Sequence, residues 1–334
     1  MKITKNDIDK LNFELTLTIA PEDYSESVRK KTAEVRRNAD FKGFRKGNVP
    51  ASLIEKVYGG QILVDAVNQV IGKGLDDYIK ENKLRILGEP LSSKNQPEIE
   101  WQKGNEFTFV FDLANYPEVE IDVEKADTIT RYDISATAKE KEGMKKNLKE
   151  YYEKNLKEGE QPKTDEEIDK EIEERLAENY RQQAEWRLTK DIRSFYVEKA
   201  AVELPEEFMK RWLLSANEGK VTEEEVEKEF PAFIEDFKWQ VVRGALMKKF
   251  GFEIEQNDVK EAARAYVTYQ YAMYGLSNAP EEMVNEAVER MMTDSKQLDR
   301  LMEQVEDRKV LEKIKETATF KSKKISSEKF FELK

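Results

Sequence analysis

The sequence predicts an N-terminal α+β domain, built as a small antiparallel sheet with helices, and an elongated all-α C-terminal domain with arm-like helices. Residues 11–19 and 106–114 alternate apolar and polar side chains, as half-buried strands do. From about residue 136 to residue 320, apolar side chains recur at helical spacing instead. The chain is 38% charged and 39% hydrophobic, a balance that favours helices with much exposed surface over one compact core.

Residues 1–117 contain the signals of the α+β domain. After the strand at 11–19, Pro21 opens a helix that runs to about Asn38, since proline is favoured at a first helical position. The other elements expected here are a short helix from Pro50 to Gly59–Gly60, a helix over 61–82, and strands over 83–91 and 106–114. This set predicts a short antiparallel sheet covered by helices.

Beyond Pro117 the pattern changes. Residues 118–135 are expected to form an extended linker, and residues 136–334 a helical domain with a short strand near 318–325. One long helix carries an apolar side chain at every fourth position: Ile168, Ile172, Leu176, Tyr180, Ala184, Leu188, Ile192 and Tyr196. Four residues advance by about 400°, so this row drifts by about 40° per step. We therefore expect the helix to contact different neighbours along its length.

The composition disfavours several classes of function. The 334 residues include no cysteine and no histidine, which removes thiolate catalysis, sulfur–zinc sites and the commonest general base. The sequence has no nucleotide-binding glycine pattern and no calcium loop. It has no apolar run suited to a signal peptide or a membrane span, so a cytoplasmic location without membrane contact is expected. We expect no catalytic residue, no metal and no cofactor.

The stretch FKGFRKGNVP at 41–50 is basic and aromatic, although the chain has a net charge of −12. Gly43 and Gly47 can adopt backbone angles closed to other residues, and they flank the tip. Arginine at such a tip can bind phosphate or carboxylate groups bidentately. The candidate binding residues are Lys42, Gly43, Phe44, Arg45 and Lys46. The residues alone leave two interpretations open, a docking tip or a solvated connection between helices that happens to be basic.

Within this stretch, GFRKGNVP at 43–50 resembles the G-F-R-x-G-x-x-P signature of the bacterial trigger factor family. Three later segments are also similar to that family: ELPEEFMKRWL at 203–213, VVRGALMKKFGFEIEQNDVKEAARAYVTYQYAMYG at 241–275 and VLEKIKETATFKSKKISSEKFFEL at 310–333. The resemblance covers most of residues 1–120 and 165–334.

The resemblance implies a molecular chaperone that works without ATP. In this family the loop at 43–45 would dock beside the ribosomal exit tunnel, on ribosomal protein and RNA. The helical domain would form a cradle for nascent and unfolded polypeptides, prevent their aggregation and assist folding or export. It also implies that the chain can form a dimer when it is off the ribosome.

One departure from the family concerns the domain that catalyses prolyl isomerisation. The family usually carries an FK506-binding-protein-like isomerase domain between the two matched parts, whereas about fifty residues connect them here. The expected insertion point lies near 155–167. We expect that domain to be absent, through natural loss or removal, and the chain not to be an enzyme.

The helical domain is rich in aromatic and methionine side chains, which adapt to many apolar partners. The interpretation as a polypeptide-binding surface competes with a simpler one, in which most of these side chains pack the helices together. The candidates for binding unfolded polypeptides are Phe208, Met209, Trp212, Phe233, Phe237, Tyr266, Tyr271, Met273, Tyr274 and Met291.

Two alternatives to a ribosome-docking chaperone remain at this point. The first is a holdase or assembly scaffold that never meets ribosomes. The second is a prolyl isomerase with a cryptic site.

Overall fold

The computed structural model describes residues 1–45, 47–156, 162–217 and 219–333. The strands are β1 Lys2–Asp7, β2 Asn12–Ile19, β3 Leu91–Ser92, β4 Phe107–Ala114, β5 Thr128–Ser135 and β6 Thr319–Ser326. The helices are α1 Pro21–Asn38, α2 Ala51–Glu81, α3 Ala138–Lys154, α4 Asp165–Ala200, α5 Glu206–Ala216, α6 Glu223–Phe250, α7 Gln256–Met273, α8 Glu281–Thr293, α9 Ser295–Thr317 and α10 Ser327–Phe331.

Tertiary contacts divide the chain into two units, and each unit contains two separate segments. The first unit comprises Met1–Pro117 and Glu203–Ile234, and the second comprises Glu118–Val202 and Glu235–Lys334. The segment 203–234 therefore groups with the α+β region. The stretch predicted as a linker, 118–135, belongs to the second unit and contains β5.

The first unit is built on an antiparallel sheet with the strand order β1-β2-β4-β3. The alternation in β2 buries every second side chain, and Leu15 and Leu17 are fully buried opposite Phe111 and Phe109 of β4. The predicted strands at 11–19 and 106–114 are confirmed. The sequence gives no alternating signal for β1, because most of its side chains are exposed at the sheet edge.

Two expectations for this unit are wrong. The helix expected to end at Gly59–Gly60 and the helix expected over 61–82 are one continuous helix, α2. Buried residues on both sides of the glycine pair hold α2 on the sheet, and this packing outweighs the weak helical preference of glycine. The strand expected over 83–91 is reduced to a bridge at Ile86 and the two residues of β3, because Gly88 has a φ of 66° and Pro90 donates no hydrogen bond.

Helix α5 packs on the same sheet. Its Arg211 donates from Nη1 to Asp112 Oδ2 at 2.5 Å and from Nη2 to the Ser92 carbonyl at 2.9 Å. The indole of Trp212 lies directly over Gly88, where an added Cβ would be 2.6 Å from Nε1. The segment 203–234 is thus joined to the α+β region by a charged pair and by close packing.

The second unit contains a parallel pair of strands from distant parts of the chain. β5 pairs with β6 from Thr128↔Thr319 to Ser135↔Ser326. Just before β5, Asp127 accepts hydrogen bonds from the Tyr196 hydroxyl at 2.9 Å and from Lys199 Nζ at 2.7 Å. The strand predicted near 318–325 is confirmed, whereas β5 was not anticipated within the predicted linker.

Helix α4 meets different neighbours along its length, as the drifting row predicted. Near its start, Ile168 and Ile172 pack against Leu148 of α3. Near its end, Tyr196 reaches Asp127 beside β5. Helices α7, α8 and α9 form a separate small core from Val259, Ala263, Val267, Val284, Val288 and Leu301.

Candidate binding surfaces

The loop between α1 and α2 is folded as two turns. The Phe44 N–H donates to the Phe41 carbonyl at 3.0 Å, and the Asn48 N–H donates to the Arg45 carbonyl at 2.9 Å. Gly43 has a φ of 96° in the first turn, a left-handed value that residues with a side chain rarely adopt. Gly43 thus adopts a backbone conformation closed to other residues, as the sequence predicted.

The base of the loop is anchored to the first unit while its tip is exposed. Phe41 packs edge-to-face on Tyr58 with ring centroids 5.9 Å apart, and Val49 is fully buried. Arg36 Nε donates to the Val49 carbonyl at 2.8 Å. By contrast, 42% of Phe44 is exposed. The loop thus presents one aromatic ring to solvent from a fixed base.

The charges at this tip are available for a partner. Lys42 and Arg45 are exposed, and neither forms an ion pair with the residues whose positions are described. Lys46, the fifth candidate, lies outside those residues. Nearby on α1, Lys30 pairs with Glu26 and Lys31 with Asp65. The tip therefore carries uncompensated positive charge beside the exposed ring.

The candidates for polypeptide binding fall into three groups by exposure. Phe208 and Met209 are buried in the first unit, and a buried side chain cannot contact an unfolded polypeptide in this conformation. The half-buried candidates are Trp212, Phe233, Phe237, Tyr271 and Met291, of which the last two pack on the α7–α9 core. The exposed candidates are Tyr266, Met273 and Tyr274.

These three exposed side chains belong to a larger apolar surface at the turn between α7 and α8. We define the α7–α8 patch as Tyr266, Tyr269, Met273, Tyr274, Leu276 and Met283, each between 41% and 82% exposed. Gly275 ends α7 with a φ of 81°, and the Leu276 N–H donates to the Tyr271 carbonyl at 2.8 Å. This helix end places Tyr274 and Leu276 on either side of the glycine, both facing solvent.

The sequence counted Tyr269 and Met283 only within the wider aromatic and methionine surface of the helical domain, and it missed Leu276. Leu276 follows the last helical turn, so helical spacing does not assign it to a face. Its only signal is its position after a glycine that ends a tyrosine-rich and methionine-rich helix. Exposure in the folded chain was needed to find it.

The ranges that the structure describes show no arrangement for chemistry with a metal ion. Within them, no group of three or more acidic side chains is placed to hold one. Nor does any helix in the described part of the chain combine the length and apolar character that crossing a membrane requires.

The chain thus combines an α+β unit that exposes a basic loop with a largely helical unit that exposes an apolar patch. Its fold is similar to that of a solved chain from a study of promiscuous substrate recognition in the folding and assembly activities of the trigger factor chaperone. The two share a TM-score of 0.55 and 13% identity over 94% of this chain and 99% of that one.

The chain belongs to the trigger factor family. The family described as bacterial trigger factor protein matches residues 1–148, and the family described as probable trigger factor, C-terminal domain, matches residues 184–333. Residues 149–183 lie between the matches, and their described part contains the end of α3 and the first half of α4.

Curated relatives match over part of their length. The chain is 33% identical over 121 residues to a trigger factor of Citrifermentans bemidjiense, a match that covers 36% of this chain and 27% of that protein. It is 30% identical over 141 residues to a trigger factor of Lachnoclostridium phytofermentans, covering 42% of this chain and 32% of that protein. The chain thus spans less than a third of the length of these relatives.

Proposed function

We propose that this chain is a chaperone that docks on the ribosome through the 41–50 loop and transiently binds nascent or unfolded polypeptides without ATP. The observation that carries the proposal is the exposed ring of Phe44 on a loop whose base is fixed by Val49 and Phe41. An exposed aromatic ring held in one place is typical of a binding anchor.

The chemistry of the tip supports docking on a surface that contains RNA and acidic side chains. Burial of the Phe44 ring against a partner would remove apolar surface from water. Arg45 and Lys42 would neutralise phosphates or carboxylates, so binding should weaken as the salt concentration rises. Burial of the ring and pairing of the charges together favour a specific contact that is still reversible.

The α7–α8 patch supports the second half of the proposal. Its tyrosine and methionine side chains offer adaptable apolar surface, which suits many unrelated segments. Acidic residues adjoin it: Glu281 lines the same cavity as Leu276, and Glu282 precedes Met283 in the sequence. Such interspersed charge favours solubility. Binding of this kind needs no covalent step and no nucleotide. Export assistance and self-association away from the ribosome follow from the family resemblance and are part of the same proposal.

Ribosome cosedimentation tests the docking assignment. We expect Phe44→Ala with Arg45→Ala to abolish cosedimentation, while suppression of aggregation of a free unfolded protein is retained. The matched control is Ile8→Ala with Lys10→Ala, which also removes one exposed apolar and one cationic side chain from the first unit and should sediment normally. Normal cosedimentation of the loop variant would show that the docking assignment is wrong.

A variant of the α7–α8 patch separates ribosome docking from suppression of aggregation. Met273→Ser with Tyr274→Ser removes the two most exposed side chains of the α7–α8 patch. We expect this variant to cosediment with ribosomes normally and to suppress aggregation less well. If it suppresses aggregation as the wild type does, polypeptide binding resides elsewhere. If the wild type does not sediment with ribosomes but suppresses aggregation, the chain is a ribosome-independent holdase.

A further inference from the structure

A groove of about 460 Å³ runs along α1 in the first unit. Its walls come from one face of α1, the first turn of α2 and the turn at Lys103–Gly104 that precedes β4. This volume lies within the roughly 300–1,000 Å³ typical of ligand sites. The groove is separate from the exposed tip of the 41–50 loop, because no tip residue lines it.

The hydroxyl groups that line the groove are already hydrogen-bonded within the first unit. Tyr24 and Val28 line it and are 1% and 9% exposed. The Tyr24 hydroxyl donates to the Asn105 carbonyl at 3.0 Å and accepts from the Gly104 N–H at 2.8 Å. The hydroxyl of Thr32 donates to the Val28 carbonyl at 2.7 Å. With these hydroxyl groups already paired, the donors left for a ligand are the charged side chains at the rim.

The rim of the groove is cationic. Arg29 and Arg36 line it and are exposed, and neither pairs with a carboxylate of the described residues. Arg36 uses Nε for the Val49 carbonyl, which leaves its two terminal nitrogens free to donate. Lys103 also lines the groove, but it pairs with Glu55. The rim thus holds a local positive excess in a chain of net charge −12.

We propose that this α1 groove binds an acidic, apolar peptide segment of a partner protein. One large apolar side chain lies in the groove against Ala33 and Ala51, which line it and are exposed. Flanking carboxylates pair with Arg29 and Arg36. Arginine binds carboxylates with two parallel hydrogen bonds, which fixes the direction of the segment. The proposal goes beyond ribosome docking by the loop and does not depend on it.

An RNA strand fits the groove less well than a peptide. Recognition of single-stranded RNA relies on aromatic rings on which bases stack, whereas the Tyr24 ring is 1% exposed and packs on Phe107 with ring centroids 5.4 Å apart. Positive charge at the rim, with apolar surface below it, is complementary to a peptide in which carboxylates flank a large apolar residue.

Fluorescence anisotropy of the full chain tests the proposal. The probe is a fluorescein-labelled, acetylated hexapeptide with the sequence DELFED, and it is expected to bind saturably at 0.1 M salt. Arg29→Glu reverses a rim charge and should weaken binding about fivefold, given the modest strength of exposed ion pairs. Ala33→Trp fills the groove and should weaken binding at least as much. Arg37→Glu makes the same charge change on α1 outside the lining and should leave the affinity within a factor of two.

Three results would overturn the proposal. These are no binding of the peptide up to 1 mM, unchanged affinity in both Arg29→Glu and Ala33→Trp, or displacement of the peptide by a ten-nucleotide oligouridylate, which would identify an RNA site. Positions 29, 33 and 37 are exposed, and circular dichroism checks that each variant is folded. The Phe44→Ala, Arg45→Ala variant should bind the peptide normally, so failure of ribosome docking and failure of the groove are distinguishable.

Discussion

At the scale of single residues, Trp212 shows how a candidate from the sequence acquires a different structural role. The sequence placed it among the aromatic and methionine side chains that could bind polypeptides. In the structure its indole lies on the backbone of Gly88, where the φ of 66° and the missing side chain allow close approach. Trp212 thus helps to hold α5 on the sheet, and its role in polypeptide binding remains a prediction.

This contact predicts a large effect of a small substitution. Gly88→Ala should lower the free energy of unfolding by about 2 kcal/mol or more, because left-handed strain and a clash with the indole add together. Gly104→Ala is the matched control, since Gly104 also has a positive φ, of 97°, but nothing lies within 4 Å of an added Cβ. It should lose only about 1 kcal/mol from strain. Urea titration followed by tryptophan fluorescence measures both, and equal losses would contradict the predicted clash.

At the scale of elements, α2 is the clearest case in which packing overrides a local signal. The pair Gly59–Gly60 was expected to end a short helix, yet α2 continues for 31 residues through it. Ile54 on one side and Ile62 and Leu63 on the other are buried in the same core. Breaking the helix between them would expose that apolar surface to water, a larger penalty than the roughly 1 kcal/mol that each interior glycine costs.

Gly60→Ala should therefore stabilise the chain by about 0.5–1 kcal/mol, because alanine restricts the unfolded chain and has a higher helical preference. No atom lies within 4 Å of a Cβ added at Gly60. Gly43→Ala is the control, since its φ of 96° makes the same substitution destabilising. Thermal unfolding followed by circular dichroism at 222 nm checks both. A loss of stability in Gly60→Ala would indicate that the helix ends at the glycine pair after all.

The elements that the sequence predicted are those whose signal is local. Strict alternation identified β2 and β4, and an apolar side chain at every fourth position identified α4. In the structure α4 begins at a threonine cap, where Thr164 Oγ1 accepts from the Glu167 N–H at 3.2 Å. The parallel pairing of β5 with β6 joins residues about 190 positions apart, and the local sequence of neither strand indicates which strand it pairs with.

Exposure at the candidate sites was equally hard to predict, and for the same reason. Met209 and Met273 have the same chemistry and both lie on helices, but one is fully buried and the other is 69% exposed. Which side of an amphipathic helix is covered depends on the element that packs against it. The tip of the 41–50 loop was easier, because Gly43 and its basic neighbours constrain it locally.

At the scale of the whole molecule, folding shifts the pKa values of the carboxyl groups in one direction. Among the described residues, every carboxyl group with a resolved pKa shift has its pKa lowered. The Ser327 hydroxyl and the Thr137 N–H lower the pKa of Glu140, which links the start of α3 to the start of α10. Burial alone would raise the pKa of Asp127, but the Glu124 N–H, Lys199 and Tyr196 outweigh it.

Acid should therefore destabilise the chain. A carboxyl group whose pKa is lower when folded contributes stability that is fully present above its unfolded pKa and is lost as the pH falls through the folded value. Starting from the ordinary values of 4.5 for glutamate and 3.8 for aspartate, the free energy of unfolding should be nearly constant from pH 7 to about pH 5 and should fall steadily toward pH 3. Protonation also reduces the repulsion within a chain of net charge −12, and this effect raises the free energy of unfolding. Salt at 0.15 M screens exposed charges more than about 8 Å apart, whereas it leaves the paired carboxylates largely unaffected.

Glu140→Gln separates the linkage from the general charge effect. Glutamine keeps the size of the side chain but cannot ionise, so this variant should be less stable than the wild type at pH 7 and closer to it at pH 3. Urea titrations at half-unit pH steps from 7 to 3 measure the difference between the two curves. That difference should narrow as the pH falls below about 4.5, because the wild-type carboxylate is then protonated as well. If the difference between the two curves stays constant over the whole range, the contacts of Glu140 with Thr137 and Ser327 do not depend on its charge. If the free energy of unfolding of the wild type rises toward pH 3, charge repulsion governs the response of the molecule to acid, and the pairing of carboxylates does not.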